Sequence, residues 1–284
     1  MFWSMSSMSN VRVDALAVAL SVVAVLSARA ASPQDRAACS PKGKPEAAIA
    51  ACTRVIEDQS ESSRRRAAAY YGRGVWYRVK GEYDRAIADY TEAIRIDPKN
   101  AGAFYESRGN AFLRKGEYDR AIADYTEAIR REPKNASAHG NRAIAHRKKG
   151  DFERAISDFS QEIKLNPKST LAHIERGFLY HKGGDLDRAM ADYTEAIRLE
   201  PRNATAYGYR AFARRNSGDF DGAIADYSEM IRLKPKNAQA FYSRGITHRL
   251  RKDKASAIAD FKRAAELGHP KAKAKLREFG LTRE

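Results

Sequence analysis

The octapeptide ADYTEAIR stands at Ala88–Arg95 and recurs without change at Ala123–Arg130 and Ala191–Arg198. Near copies stand at Ser157–Lys164 (SDFSQEIK), Ala225–Arg232 (ADYSEMIR) and Ala259–Glu266 (ADFKRAAE). Ahead of the copies Gly81, Gly116, Gly150, Gly184 and Gly218 are spaced 35, 34, 34 and 34. Behind them Pro98, Pro133, Pro167, Pro201 and Pro235 keep the same steps, and the one extra residue falls in the link near Ala101. Self-similarity at a period of this size marks an array of stacked supersecondary units.

Each period reads as two helices. The first covers about a dozen residues up to the glycine, as in Ser169–Lys182. Glycine permits the left-handed backbone that ends it. The second, as in Leu186–Leu199, places Ala189, Tyr193, Ala196 and Ile197 at helical spacing. The proline just beyond it blocks continuation.

A helix–turn–helix unit with Tyr207, Gly218, Ala223, Tyr227 and Pro235 at these offsets resembles the tetratricopeptide repeat. The resemblance implies an all-α, right-handed superhelical solenoid of antiparallel helix pairs. It covers six units over residues 67–270. Residues 31–66 precede them, where Glu46–Asp58 aligns as a second helix alone with Cys52 in the Tyr position. Residues 271–284 follow, and Lys271–Phe279 has the pattern of a capping helix, which a solenoid needs over its last interface.

The chain departs from the family pattern in two places. Lys252 stands where the last unit should have its turn glycine, so that unit is expected to be distorted. The seventh position of the first helix, large and apolar in the family, is Arg73, Arg108, Arg142, Arg176, Arg210 and Arg244. Asp89, Asp124, Asp158, Asp192, Asp226 and Asp260 recur with the same period. The arginines and aspartates either line a groove or pair at a helix interface. Strict repetition favours the pair, since residues that read a ligand vary between repeats.

The family's ligands lie along the concave face made by the first helices. Carried over position by position, that implies a groove of Tyr71, Asn110, Asn141, Ile144, Arg147, Phe178, His181, Phe212, Arg215, Tyr242 and Arg249. It would be apolar and aromatic along the middle with a basic edge, suited to a protein or peptide segment of acidic and apolar character; the alternative is that some of the apolar residues are core and the basic row is a solvated surface. Asn110 and Asn141 match the two Asn positions of the family's carboxylate clamp. Glu106, Leu171 and Glu175 stand at its basic positions, so that clamp is rejected.

At the other end of the chain, Ala15–Leu26 is an apolar run of twelve residues, short of the roughly 20 needed to span a bilayer. Arg12 precedes it and Ala28-Arg29-Ala30 follows as an A-x-A pattern. This is the layout of a secretory signal peptide over residues 1–30, with an uncleaved anchor as the alternative. The expected location is periplasmic or secreted, with no stable membrane span after cleavage. Both cysteines, Cys39 and Cys52, lie beyond the cleavage pattern. In an oxidising compartment such a pair is expected to form a disulfide; two free thiols are the alternative.

The net charge of +16 on 284 residues points to an anionic partner. Binding of an acidic polymer is therefore the second functional reading, and export argues against nucleic acid. The six histidines form no H-x-x-x-H pair, and no P-loop, G-x-S-x-G or HExxH is present. The sequence thus calls for no metal, no cofactor and no catalytic residue. Asn135-Ala-Ser137 and Asn203-Ala-Thr205 fit a glycosylation sequon but read better as helix caps.

Overall fold

The structure, a computed structural model, describes residues 30–39 and 44–281. The apolar run Ala15–Leu26 lies outside the described residues. The chain divides into two compact units, Met1–Glu132 and Pro133–Glu284. The first holds α1 (Pro33–Ala38) and α2 (Pro45–Glu57), then the pairs α3 (Ser63–Val79) with α4 (Tyr83–Ile96) and α5 (Gly102–Lys115) with α6 (Tyr118–Arg131). The second holds α7 (Ala136–Lys149) with α8 (Phe152–Leu165), α9 (Thr170–Lys182) with α10 (Leu186–Leu199), and α11 (Ala204–Asn216) with α12 (Phe220–Leu233). It ends with α13 (Ala238–Leu250), α14 (Lys254–Glu266) and α15 (Ala272–Arg277). Among the described residues there is no strand. This is an all-α solenoid.

The helix ends follow the local chemistry of the repeat. Asn135, Asn203 and Asn237 accept hydrogen bonds from the N–H groups of Ala138, Ala206 and Ala240, which are free donors of the first turn. The turn closes with two bonds, Gly184 N–H to His181 O and Asp185 N–H to Tyr180 O, with Gly184 at φ 84°. The last pair makes the same two bonds, Lys252 N–H to Arg249 O and Asp253 N–H to His248 O, with Lys252 at φ 66°. The expected distortion is therefore absent. The bonds of the turn hold a lysine in the conformation that glycine adopts elsewhere.

Within each pair the second helix buries the aromatic ring of its octapeptide. Tyr90, Tyr125 and Tyr193 are fully buried. Each lies against a glycine of the first helix: a Cβ on Gly177 would sit 2.8 Å from the Tyr193 ring, and one on Gly109 would sit 2.9 Å from Tyr125. The small residue after the seventh-position arginine is thus a packing requirement.

That arginine is the junction of the fold. In all six pairs its Nε and Nη2 donate to the two carboxylate oxygens of the partner aspartate at 2.7–2.9 Å. Nη1 also reaches a hydroxyl of the preceding second helix: Arg73 to Thr53, Arg108 to Thr91, Arg176 to Ser160, Arg210 to Thr194 and Arg244 to Ser228. The aspartates are buried. Rings on the first helix, such as Tyr70 and Tyr77, flank the Arg73 guanidinium at 5.5 and 5.9 Å. Where the fourth-position ring is His173, its Nδ1 meets Asp192 at 3.0 Å instead. Where Arg214 replaces the second ring, its Nη1 joins Asp226 at 2.9 Å.

Burial pushes the Asp192 carboxyl up, but the hydrogen bonds from His173 and Arg176 outweigh it and hold the group below the usual carboxylate range. The stability this contributes is present above about pH 4 and is lost as pH falls through the lowered value. Replacing Asp192 by Ala strands Arg176 and His173. It should cost about 3 kcal/mol in urea unfolding at pH 7, with Arg176→Leu/Asp192→Leu recovering most of the loss. The parent–Asp192→Ala gap should shrink in acid. Lys252→Gly relieves the left-handed lysine and should raise stability by about 1 kcal/mol, read from the same unfolding curves.

Candidate binding groove

Two positions that look unrelated in sequence fit one another in space. The fifth residue of each first helix faces the residue three beyond the buried ring of the second. A Cβ on Gly140 would lie 2.1 Å from the Glu162 carboxylate, and one on Gly208 would lie 2.9 Å from Met230 Sδ. Ile174 packs on Ala196. The same register pairs Tyr71 with Ala93, Glu106 with Ala128 and Tyr242 with Ala264. A large residue on one side always meets a small one on the other, so packed volume is kept while chemistry changes from repeat to repeat.

At Gly208 the exchange leaves a cavity of about 250 Å³. Its walls are Thr205, Gly208, Tyr209 and Phe212 of α11, Tyr227 and Met230 of α12, and Gln239, Ala240 and Ser243 of α13. The lining is mainly apolar, with hydroxyl and amide groups on the α13 side. The volume is below the roughly 300–1,000 Å³ of sites for drug-sized ligands and suits one large side chain. Phe212 is 40 % exposed at its mouth. The Arg215 guanidinium lies 4.8 Å from the Phe212 ring, and the His181 ring lies 4.7 Å from it on the other flank. His181 Nε2 meets Asn216 Nδ2 at 2.9 Å. Burial pushes the His181 imidazole below its ordinary range, and Arg215 pushes it the same way. Among the described residues Arg215 has no carboxylate within ion-pair distance.

The other groove candidates are placed differently. Ile144 and Phe178 are half-buried and pack on the core between α7, α8 and α9. Phe178 meets Tyr209 edge-on at 6.0 Å. Arg147 Nε lies 3.0 Å from Glu175, and Arg249 Nη1 lies 2.8 Å from Glu278, so two members of the basic edge already face carboxylates. Tyr242 is covered by His269, whose ring stacks on it at 4.0 Å. Asn141 is half-buried on α7. In the Met1–Glu132 unit, Asn110 accepts the Tyr125 hydroxyl at 2.8 Å, and Tyr71 packs against Phe104 at 5.1 Å. Phe212, Arg215 and His181 are therefore the three that converge. Met230 was missed; its only signal was a large residue where Ala93, Ala128, Ala196 and Ala264 stand. Among the described residues no group of three His, Cys, Asp or Glu is placed to hold a metal ion.

Tetratricopeptide repeat profiles match residues 67–100, 107–170, 141–204, 179–238 and 210–272. The chain belongs to the tetratricopeptide repeat family. Its fold is similar to that of the C-terminal part of a TPR repeat-containing protein from Cytophaga hutchinsonii, with TM-score 0.69 and 22% identity over 81% of this chain and 93% of that one. It is similar to PilF of Pseudomonas aeruginosa, with TM-score 0.63 and 17% identity over 75% and 100%. It is also similar to YrrB, described as a TPR protein with an unusual peptide-binding site, with TM-score 0.59 and 19% identity over 66% and 97%. No curated protein matches the sequence. Identities this low carry the shared fold of the family and nothing finer.

The volume exchange makes a direct prediction. Gly208→Ile alone overpacks Met230 and should destabilise by about 1–3 kcal/mol. Gly208→Ile/Met230→Ala reproduces the Ile174–Ala196 arrangement and should unfold close to the parent. The coupling read from the double-mutant cycle should exceed about 0.5 kcal/mol.

Proposed function

We propose that this tetratricopeptide repeat protein is an exported, non-catalytic scaffold. In this reading it binds a protein segment with an apolar anchor and acidic flanks along the first helices of the Pro133–Glu284 unit. The observation that carries the reading is the apolar cavity at Gly208, with the Arg215 guanidinium against Phe212 of its wall. A buried apolar side chain supplies affinity, and a cation beside the entrance supplies orientation. YrrB, whose fold this chain shares, is described as having a peptide-binding site. Export draws its support from the Ala15–Leu26 run with Ala28-Arg29-Ala30, and from the Cys39–Cys52 disulfide, which suits an oxidising compartment.

The +16 charge keeps an acidic polymer as the second reading. The two differ in what binding needs. A polyanion binds through counterion release, so its affinity falls steeply with salt and ignores the cavity. An anchored segment loses its electrostatic part with salt and keeps its apolar part.

The test uses the full chain and fluorescent acidic peptides with a central Leu or a central Ser, beside polyglutamate of equal charge. The Leu peptide should bind about tenfold or more tighter than the Ser peptide, the worth of one buried side chain. That advantage should survive high salt and vanish in Gly208→Ile/Met230→Ala. Equal binding of all three probes, lost together in salt, would move the function to the basic surface.

A further inference from the structure

Ala31 sits at an unusual spot for a backbone amide. The residue is 5 % exposed, and its N–H donates at 2.8 Å to Oδ2 of Asp58, itself 4 % exposed. The other Asp58 oxygen accepts from the Ser60 N–H at 2.9 Å and the Ser60 hydroxyl at 2.6 Å. The neighbouring charges are already committed. Arg36 of α1 pairs with the buried Glu61, which also meets Arg65 of α3, and Arg54 of α2 pairs with Asp35 of α1. Among the described residues no cation lies within ion-pair distance of Asp58. This buried carboxylate is thus satisfied chiefly by hydrogen bonds, with Arg36 adding a longer-range attraction, although a charged group at this depth is stabilised best by an opposite charge in contact with it.

The place where that charge is missing coincides with the bond that the sequence marks. Ala28-Arg29-Ala30 ends at the Ala30–Ala31 peptide, and Ala30 is exposed. One residue on, Ser32 and Asp35 close a capping box, with Pro33 opening α1. The Ala31 side chain packs with Cys52, Val55 and Ala69, beside the disulfide that ties Cys39 to α2. Fixed structure therefore reaches the scissile bond and turns its nitrogen inward onto Asp58.

We propose that Ala31 is the first residue of the processed chain and that its α-ammonium docks on the Asp58 carboxylate, locking the disulfide-bearing N-terminal segment. Hydrolysis of the Ala30–Ala31 bond by a signal peptidase consumes one water. Ala30 leaves as a carboxylate, and the Ala31 nitrogen takes the protons that make it an ammonium. The amide donor becomes a cation where it stands, and processing supplies the contact counter-charge that Asp58 lacks. The inference rests on the export reading above.

The full chain is expressed in a bacterial host, and the envelope product is analysed by mass spectrometry. It should begin at Ala31. The α-amine of that product is then titrated by NMR after methylation with a 13C reagent. Its pKa should stand about 1–3 units above the ordinary value near 8 and return to it in Asp58→Asn. As an independent variant, Gly-Ser inserted between Ala30 and Ala31 keeps the Ala31 nitrogen an amide. The new terminus should titrate normally, and the thermal midpoint should lie below that of the parent product at pH 7. A raised amine stabilises below pH 8 and stops doing so above its own pKa, so this gap should close in alkali. A product that begins elsewhere, or an Ala31 amine of ordinary pKa, overturns the docking and leaves export standing. A chain that stays unprocessed in the cytoplasm overturns the export reading itself.

Discussion

One guanidinium per repeat holds this solenoid together. Two of its nitrogens grip a buried aspartate across the hairpin, and the third, as in Arg176, reaches a hydroxyl on the hairpin before. A solenoid has only nearest-neighbour interfaces, so a group that joins its own unit and also touches the previous one sets their register. Arginine suits this because its planar fork matches a carboxylate and leaves a donor free. The octapeptide follows from it. Asp is the partner, Tyr is the ring that needs a facing glycine or alanine, and Thr or Ser is the hydroxyl for the next arginine. Glu195 and Arg198 form an exposed pair that serves the helix alone.

A frame fixed in this way leaves other positions free to vary, provided volume is kept. The exchange between the fifth position of one helix and its facing residue on the other is such a freedom. Where Gly208 meets Met230, the frame is unchanged but the surface opens. A cavity can then open without loss of a structural residue, because Arg210 and Asp226 stand beside it undisturbed.

The start of the chain solves a different problem. Among the described residues the first helix pair has no neighbour on one side, and its leading helix α1 is only Pro33–Ala38. A helix that short is not stable by itself. The Cys39–Cys52 disulfide closes a loop worth about 3 kcal/mol in the chain-entropy description, and the Ser32–Asp35 capping box fixes the entry. Both sulfurs lie against Gly72 of α3, where a Cβ would stand in ordinary contact with them, 3.5 Å from Cys52 Sγ and 3.7 Å from Cys39 Sγ. At the other end Leu276 of α15 is buried against Phe261, which covers the last interface with apolar surface.

The sequence by itself determined the repeat, the helix pairs and most of their ends, because these depend on residues within one period: glycine for the turn, proline for the stop, asparagine for the cap. It also narrowed the arginines and aspartates to a packing role, since they never vary. Lys252 shows the limit of reading residue by residue, because the backbone bonds that close the turn hold a left-handed conformation that the residue alone disfavours. Only the tertiary structure decided which groove residues remain available. Glu175, Glu278, His269 and the Tyr125 hydroxyl occupy Arg147, Arg249, Tyr242 and Asn110, while Phe212 lines a cavity and Arg215 and His181 flank its ring. Those partners lie 15 to 29 residues away in the chain, as do the facing volumes that open the cavity, and a periodicity of one repeat carries no record of which side chain fills which space.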